Sequence, residues 1–106
     1  MLIVIAEIQM RSGAQHHENV INAFKRIIPT VLLEDGCYGY ELLVDHQADV
    51  DFQTKVSDSI IMLEQWQSID HLNAHLQTAH MQTYQQQVKD DVLDVKIRIM
   101  EKGLKI

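Results

Sequence analysis

The sequence predicts an α+β domain, one four-stranded sheet with helical segments on one face. Three observations carry this prediction. Runs rich in aliphatic and aromatic residues at 2–10, 37–45, 59–66 and 92–100 read as strands. Between them lie two stretches in which apolar residues recur at three and four positions, so the order is strand, helix, strand, strand, helix, strand. The run at 59–66 is apolar on both faces and is expected to be covered on both sides.

Residues 2–10, LIVIAEIQM, end at Arg11-Ser12-Gly13, the composition of a strand turning into a helix. Ser12 is the expected N-cap, with Gln15 as its partner three residues on. Val20, Phe24, Ile27 and Val31, joined by Ile21, Ile28 and Leu32, give the next segment the buried face of a helix. Pro29 is expected to kink that helix or to begin a new turn, because its ring crowds the carbonyl four residues back. Gly36 is the C-terminal stop, and CYGYELLVD follows as a strand. Residues 46–57, HQADVDFQTKVS, are polar and form a connection. A second helical region spans about 68–90, and VLDVKIRIM closes the pattern as a strand. No internal repeat is present, and QTYQQQ is only mildly glutamine-rich.

The 106 residues hold no second hydrophobic block and read as one domain over 1–106. A domain of this size buries only about two-thirds of the surface its unfolded chain exposes, which favours help from a partner. Nine Lys and Arg stand against fifteen Asp and Glu, for a net charge of −6, and no basic stripe is present to neutralise phosphates, so nucleic acid is excluded as a partner. No apolar run approaches the length of a membrane span. The opening MLIVIAEIQM lacks a basic start and meets Glu7 too soon for a signal peptide. With Cys37 as the single cysteine, no intrachain disulfide forms, which fits a reducing cytoplasm.

Alternate side chains of a strand face opposite sides, so Ile60, Met62, Glu64 and Trp66 share one face and Ser59, Ile61, Leu63 and Gln65 the other. The helical segments cover one face of the sheet. The other is expected to meet a second protein surface, most simply another copy of the chain, as a homodimer.

The order EDGCYGYELLVD, a loop, then IIMLEQWQSIDHLNAHLQTAH resembles the antibiotic biosynthesis monooxygenase domain, including its quinol monooxygenase branch. The shared pattern is an acidic residue and Gly-Cys before a strand with Tyr-Glu, then Glu-x-Trp, a short helix and His-x-x-Thr-x-His, and it covers nearly the whole chain. The resemblance implies a ferredoxin-like fold with a four-stranded antiparallel sheet, paired into a dimeric α+β barrel, with a pocket between sheet and helices. It also implies oxygenation of a phenolic or quinol small molecule by O2 without flavin, haem or metal. The connection between the two central strands is several residues longer than the pattern, and Ala79 stands where a Pro often precedes the last His.

Trp66 matches the family's aromatic and offers a face for a flat substrate ring; the alternative is a core Trp. Glu64 is a candidate acid or base, because a carboxylate among Ile60, Met62 and Trp66 needs either a partner or a raised pKa. His75 and His80 match the family's two histidines, and imidazole is suited to move a proton near neutral pH. On one unbroken helix the two diverge by about 140°. A break near Thr78, a natural cap, turns both toward one pocket. His71 and His75 have a metal-binding spacing, but no third ligand stands at a recognisable distance and no metal is expected. Tyr40 and Glu41 fill the Tyr-Glu positions on opposite faces, with Tyr40 the candidate to hydrogen-bond a substrate oxygen. Cys37 is read as a small buried apolar residue, and His16, His17 and His46 as solvated.

The function expected is therefore a cofactor-independent monooxygenase acting on a quinol-like or polyphenolic molecule. His75 or His80 takes a phenolic proton, and the electron-rich anion passes an electron to O2. Two other uses of the same pocket are a small-molecule isomerase and a non-catalytic binding dimer. A phosphate-handling isomerase calls for Lys or Arg, and the segments around Trp66 and His75 contain none.

Overall fold

The computed structural model describes residues 1–104, so the last two residues of the expected domain lie outside the described residues. Along the chain come β1 (Leu2–Met10), α1 (Ala14–Val31), β2 (Cys37–Leu43), β3 (Ser59–Trp66), α2 (Ile69–Leu76), α3 (Ala79–Val88) and β4 (Val92–Met100). The sheet order is β2-β3-β1-β4, and every neighbouring pair is antiparallel. This is the α+β arrangement expected: two interleaved strand-helix-strand units with the helices on one face of the sheet.

Of the two faces that alternation defines, the helices cover the one that carries Glu64 and Trp66. Val4, Ala6, Ile8 and Met10 of β1 and Ile60, Met62, Glu64 and Trp66 of β3 are buried, with Val4 opposite Glu64 and Ala6 opposite Met62. Against them pack Val20, Ala23, Phe24, Ile27 and Val31 of α1 and Met81, Tyr84 and Val88 of α3. Ile3, Ile5, Ile61 and Leu63 on the opposite face stay half-exposed. β4 is an edge strand, and Val95, Ile97 and Ile99 on its helix side are about half exposed.

Three local expectations are corrected. Ser12 does not cap α1. Gly13, with φ of 119°, occupies the cap position, while Ser12 Oγ donates to Asp58 Oδ2 at 2.9 Å and Gln15 pairs with Asn19. A carboxylate at the start of β3 is a stronger acceptor for that hydroxyl than a helix amide is a donor. The same neighbourhood engages His16 and His17, which are half-buried rather than solvated. His16 Nδ1 lies 2.7 Å from Asp91 Oδ1, and His17 Nε2 lies 2.8 Å from Asp58 Oδ1. His46 is exposed. Finally, α1 runs through Pro29 to Val31, so no new turn begins there, although the proline brings no N–H to the Lys25 carbonyl four residues back.

After Val31 the chain tightens, with Leu33 N–H bonding the Thr30 carbonyl at 3.1 Å and Glu34 N–H the Val31 carbonyl at 3.0 Å. Gly36 then takes φ of 78°, and its carbonyl accepts from Gln67 N–H at 2.8 Å, which ties this turn to the end of β3. A Cβ at Gly36 would collide with the His71 ring. Beyond β3, Ser68 caps α2 through the His71 N–H, and Thr78 caps α3 through the Met81 N–H. The helix break expected near Thr78 is therefore present. Gly36→Ala combines a left-handed backbone with that collision and is expected to cost about 1–3 kcal/mol. Urea denaturation measures it, and an unchanged midpoint would show that the turn relaxes freely.

Candidate active site

A cavity of about 580 Å³ lies between the sheet and the helices, within the range of small-molecule sites. The sheet supplies Ala6, Ile8, Tyr40, Met62 and Glu64 to its wall, and the helices supply Phe24, His75, Met81 and Tyr84. Gln77, Gln82 and Gln85 line its polar side, and Val95 and Ile97 of the edge strand bring it to the exposed margin of the sheet. Among the described residues, none of those lining it is Lys or Arg.

His75 is 1% exposed in its side chain, and its Nδ1 lies 2.8 Å from Glu34 Oε2. His80 Nε2 lies 2.8 Å from the same oxygen. A carboxylate only accepts, so each imidazole presents an N–H to it. This assigns His75 the tautomer with its proton on Nδ1 and its lone pair on Nε2, the nitrogen left for a molecule in the cavity. Burial pushes the His75 pKa below its ordinary value, against the opposing pull of Glu34. The ring is wedged by Trp66, with centroids 4.6 Å apart, and by the edge contact of Tyr40 at 5.4 Å.

Glu64 faces the same cavity from β3. Burial pushes its pKa up to about 7, and the hydrogen bond from Trp66 Nε1 to its Oε1, at 2.9 Å, works in the opposite direction. Near neutral pH the cavity thus holds an unprotonated imidazole and a carboxyl that is protonated in part of the population. Tyr40 Oη has only the Met81 sulfur, 4.0 Å away, as a weak acceptor. Burial raises the Tyr40 pKa, so the phenol stays protonated and able to donate.

The expected residues therefore fall into two groups. His75, Glu64 and Tyr40 reach the cavity. Trp66 is fully buried outside the lining, where it braces Glu64 and His75. His80 also stands outside the lining, 24% exposed on the far side of Glu34. The break at Thr78 gathers both histidines on one carboxylate, not on one cavity. Glu41 is exposed on the other face, and Cys37 packs against the core with its thiol pKa raised by burial.

Glu34 is the residue that sequence reasoning missed. It stands 41 and 46 positions before its two partners, and the acidic pair before Gly36 was visible without any sign of which carboxylate turns inward. Glu34 does so, whereas Asp35 is almost fully exposed and meets only His71, at 3.5 Å. The search for a third metal ligand is corrected in the same way. His71 Nδ1 bonds Ser68 instead of pairing with His75, while ligand atoms of Glu34, His75 and His80 lie within 4.8 Å of one another.

An α+β sheet with helices on one face and an apolar cavity carrying an acid–base pair defines a small-molecule enzyme domain. The model of the antibiotic biosynthesis monooxygenase family matches residues 1–87, and the chain belongs to that family. It is 54% identical over 104 residues to the probable quinol monooxygenase YgiN of Escherichia coli K12, covering 98% of this chain and 100% of that protein. The fold matches PA3566 from Pseudomonas aeruginosa with a TM-score of 0.79 at 24% identity, covering 97% of this chain and 94% of the other. It also matches Rv0793 from Mycobacterium tuberculosis with a TM-score of 0.78 at 19% identity, covering 98% and 96%.

Glu64 makes a pH prediction. Its folded pKa, about 7, lies above the ordinary 4.5, so the fold favours the neutral form. Its contribution is full below the unfolded value and is lost as pH rises through the folded one. Glu64→Gln keeps an acceptor for Trp66 but cannot ionise. From about pH 5 to about pH 8 the native protein is expected to lose up to about 3 kcal/mol relative to this variant. Denaturation curves across that range test it, and a constant difference between the two proteins would refute it.

Proposed function

We propose that the chain is a cofactor-independent monooxygenase that converts a quinol-like or polyphenolic molecule with O2. One observation carries the reading: a buried imidazole, held by Glu34 through Nδ1, has Nε2 left for an apolar cavity of small-molecule size. Nε2 takes a phenolic proton, and the resulting anion is electron-rich enough to give one electron to O2. Superoxide and the substrate radical then join, and loss of water leaves a carbonyl. For a hydroquinone the balance is one quinol and one O2 to one hydroxyquinone and one water, with all four electrons drawn from the substrate.

Each neighbouring group has a part. Glu34 is a positioning residue that fixes the tautomer, and His80 orients Glu34 through the same oxygen. Glu64 in its protonated form and Tyr40 donate to substrate oxygens, and the apolar walls keep water from the radical pair. The name of the E. coli relative supports a quinol substrate. The absence of Lys and Arg from the cavity lining disfavours a phosphorylated substrate. The single free cysteine fits a cytoplasmic setting. The half-exposed apolar face with Ile3, Ile5, Ile61 and Leu63 fits a homodimer built sheet to sheet.

Oxygen uptake by metal-stripped protein, over a panel of hydroquinones, naphthohydroquinols and anthrones, tests the activity. No uptake above the spontaneous rate with any of them would sink the reading. On an accepted substrate, His75→Ala is expected to lower kcat by about 100-fold or more, the loss typical of a general base. Glu34→Gln is expected to lower kcat with a smaller change in KM, since it disturbs the tautomer and leaves the cavity wall in place. If a folded His75→Ala protein keeps full turnover, the base is Glu64. Light scattering at micromolar concentration is expected to return the mass of two chains, and a monomer mass would remove the dimer.

A further inference from the structure

The Glu34 carboxylate, His75 Nδ1 and His80 Nε2 converge from the end of α1, from α2 and from α3, and all three atoms lie within 4.8 Å of one another. We propose that these three groups form a divalent transition-metal site, and that a metal bound there switches the cavity's base off. The second half rests on the function proposed above; the first does not.

Two imidazoles and a carboxylate suit Zn²⁺ and its neighbours, and three protein ligands leave a position for water. The two hydrogen bonds now hold each nitrogen 2.8 Å from Glu34 Oε2. Ligand atoms at Zn²⁺ bond lengths in a tetrahedral set stand about 3.3 Å apart, so each nitrogen moves about half an ångström away from Glu34 Oε2 while the two nitrogens, within 4.8 Å of each other, settle to that same spacing. Access comes from the outside, not through the cavity. A surface depression is lined by Glu34, Asp35, Asp70, His71, Ala74 and Thr78, with three carboxylates and no Lys or Arg. His80 is itself 24% exposed.

The consequence for the base follows from imidazole chemistry. With Glu34 alone as its partner, His75 carries its proton on Nδ1 and keeps the lone pair on Nε2. A metal on Nδ1 uses the lone pair of that nitrogen, so the proton of the neutral ring moves to Nε2. Nothing is oxidised and no proton leaves the protein. The nitrogen facing the cavity becomes a donor and can no longer accept a phenolic proton.

The test begins with chelator-stripped protein and Zn²⁺, read by competition with a chromogenic chelator. One Zn²⁺ per chain is expected. Glu34→Gln and His80→Ala, each verified as folded by circular dichroism, are expected to weaken binding by about 100-fold or more, beyond the cost of losing an outer-shell partner. His71→Ala, which alters the depression but not the three ligands, is expected to retain it. Nitrogen-15 NMR of the His75 ring reads the switch without turnover: the proton is expected on Nδ1 in the metal-free protein and on Nε2 with Zn²⁺. On an accepted quinol, Zn²⁺ is expected to stop oxygen uptake at the binding stoichiometry, with recovery on adding chelator. Absence of stoichiometric Zn²⁺, or binding that survives both Glu34→Gln and His80→Ala, overturns the site. A His75 proton that stays on Nδ1 overturns the switch. Failure of every quinol in the panel removes the activity while the binding and NMR results still decide the metal site.

Discussion

One carboxylate organises the cavity end of this molecule. Glu34 follows the last turn of α1, and its Oε2 receives an N–H from His75 at the end of α2 and another from His80 at the start of α3. Three elements distant in sequence are thereby joined at a single atom. The contact is directional as well as attractive. Because a carboxylate only accepts, it dictates which nitrogen of each ring carries the proton. The geometry of the break at Thr78 serves this contact: capping by Ser68 and Thr78 ends one short helix and starts the next so that histidines five apart reach the same oxygen.

The second constraint is satisfaction of polar groups inside an apolar core. Among the described residues, no buried side-chain nitrogen or oxygen lacks a hydrogen-bond partner. Trp66 is central to that economy, since its indole N–H goes to Glu64 and its ring lies against His75. It stiffens both titrating groups that face the cavity while staying out of the cavity itself. Burial moves these two groups in opposite directions, Glu64 upward and His75 downward, because desolvation always penalises the charged form. An acid and a base able to coexist near neutral pH follow from the same apolar surroundings.

The cavity extends to the least covered part of the sheet. Its inner walls belong to the two central strands, to Tyr40 of β2 and to the helices, whereas Val95 and Ile97 of the edge strand β4 are about half exposed. The glutamines of α2 and α3 line the other side, Gln77 just after α2 and Gln82 and Gln85 on α3. They supply hydrogen bonds without a net charge.

The fold was legible in the sequence almost throughout, because strand alternation and helical spacing are local and repeat over many residues. The parity of Ile60, Met62, Glu64 and Trp66 was enough to group them on one face, but with both faces apolar it did not say which one the helices cover; Thr78 was enough to place the break. Local capping at Ser12 was misjudged because its better acceptor, Asp58, arrives from 46 residues away. The site was legible only in part. Residue types and motif order nominated His75, Glu64 and Tyr40, which reach the cavity, and equally Trp66 and His80, which the tertiary packing sets behind the cavity wall. The sequence by itself determined which elements form, which faces are apolar and which residues can carry protons, since these depend on spacing and side-chain chemistry. Only the tertiary structure decided that Glu34 joins the two histidines, which ring nitrogen is left for the ligand, and which of the candidates a ligand can touch, because each of these depends on where distant side chains meet.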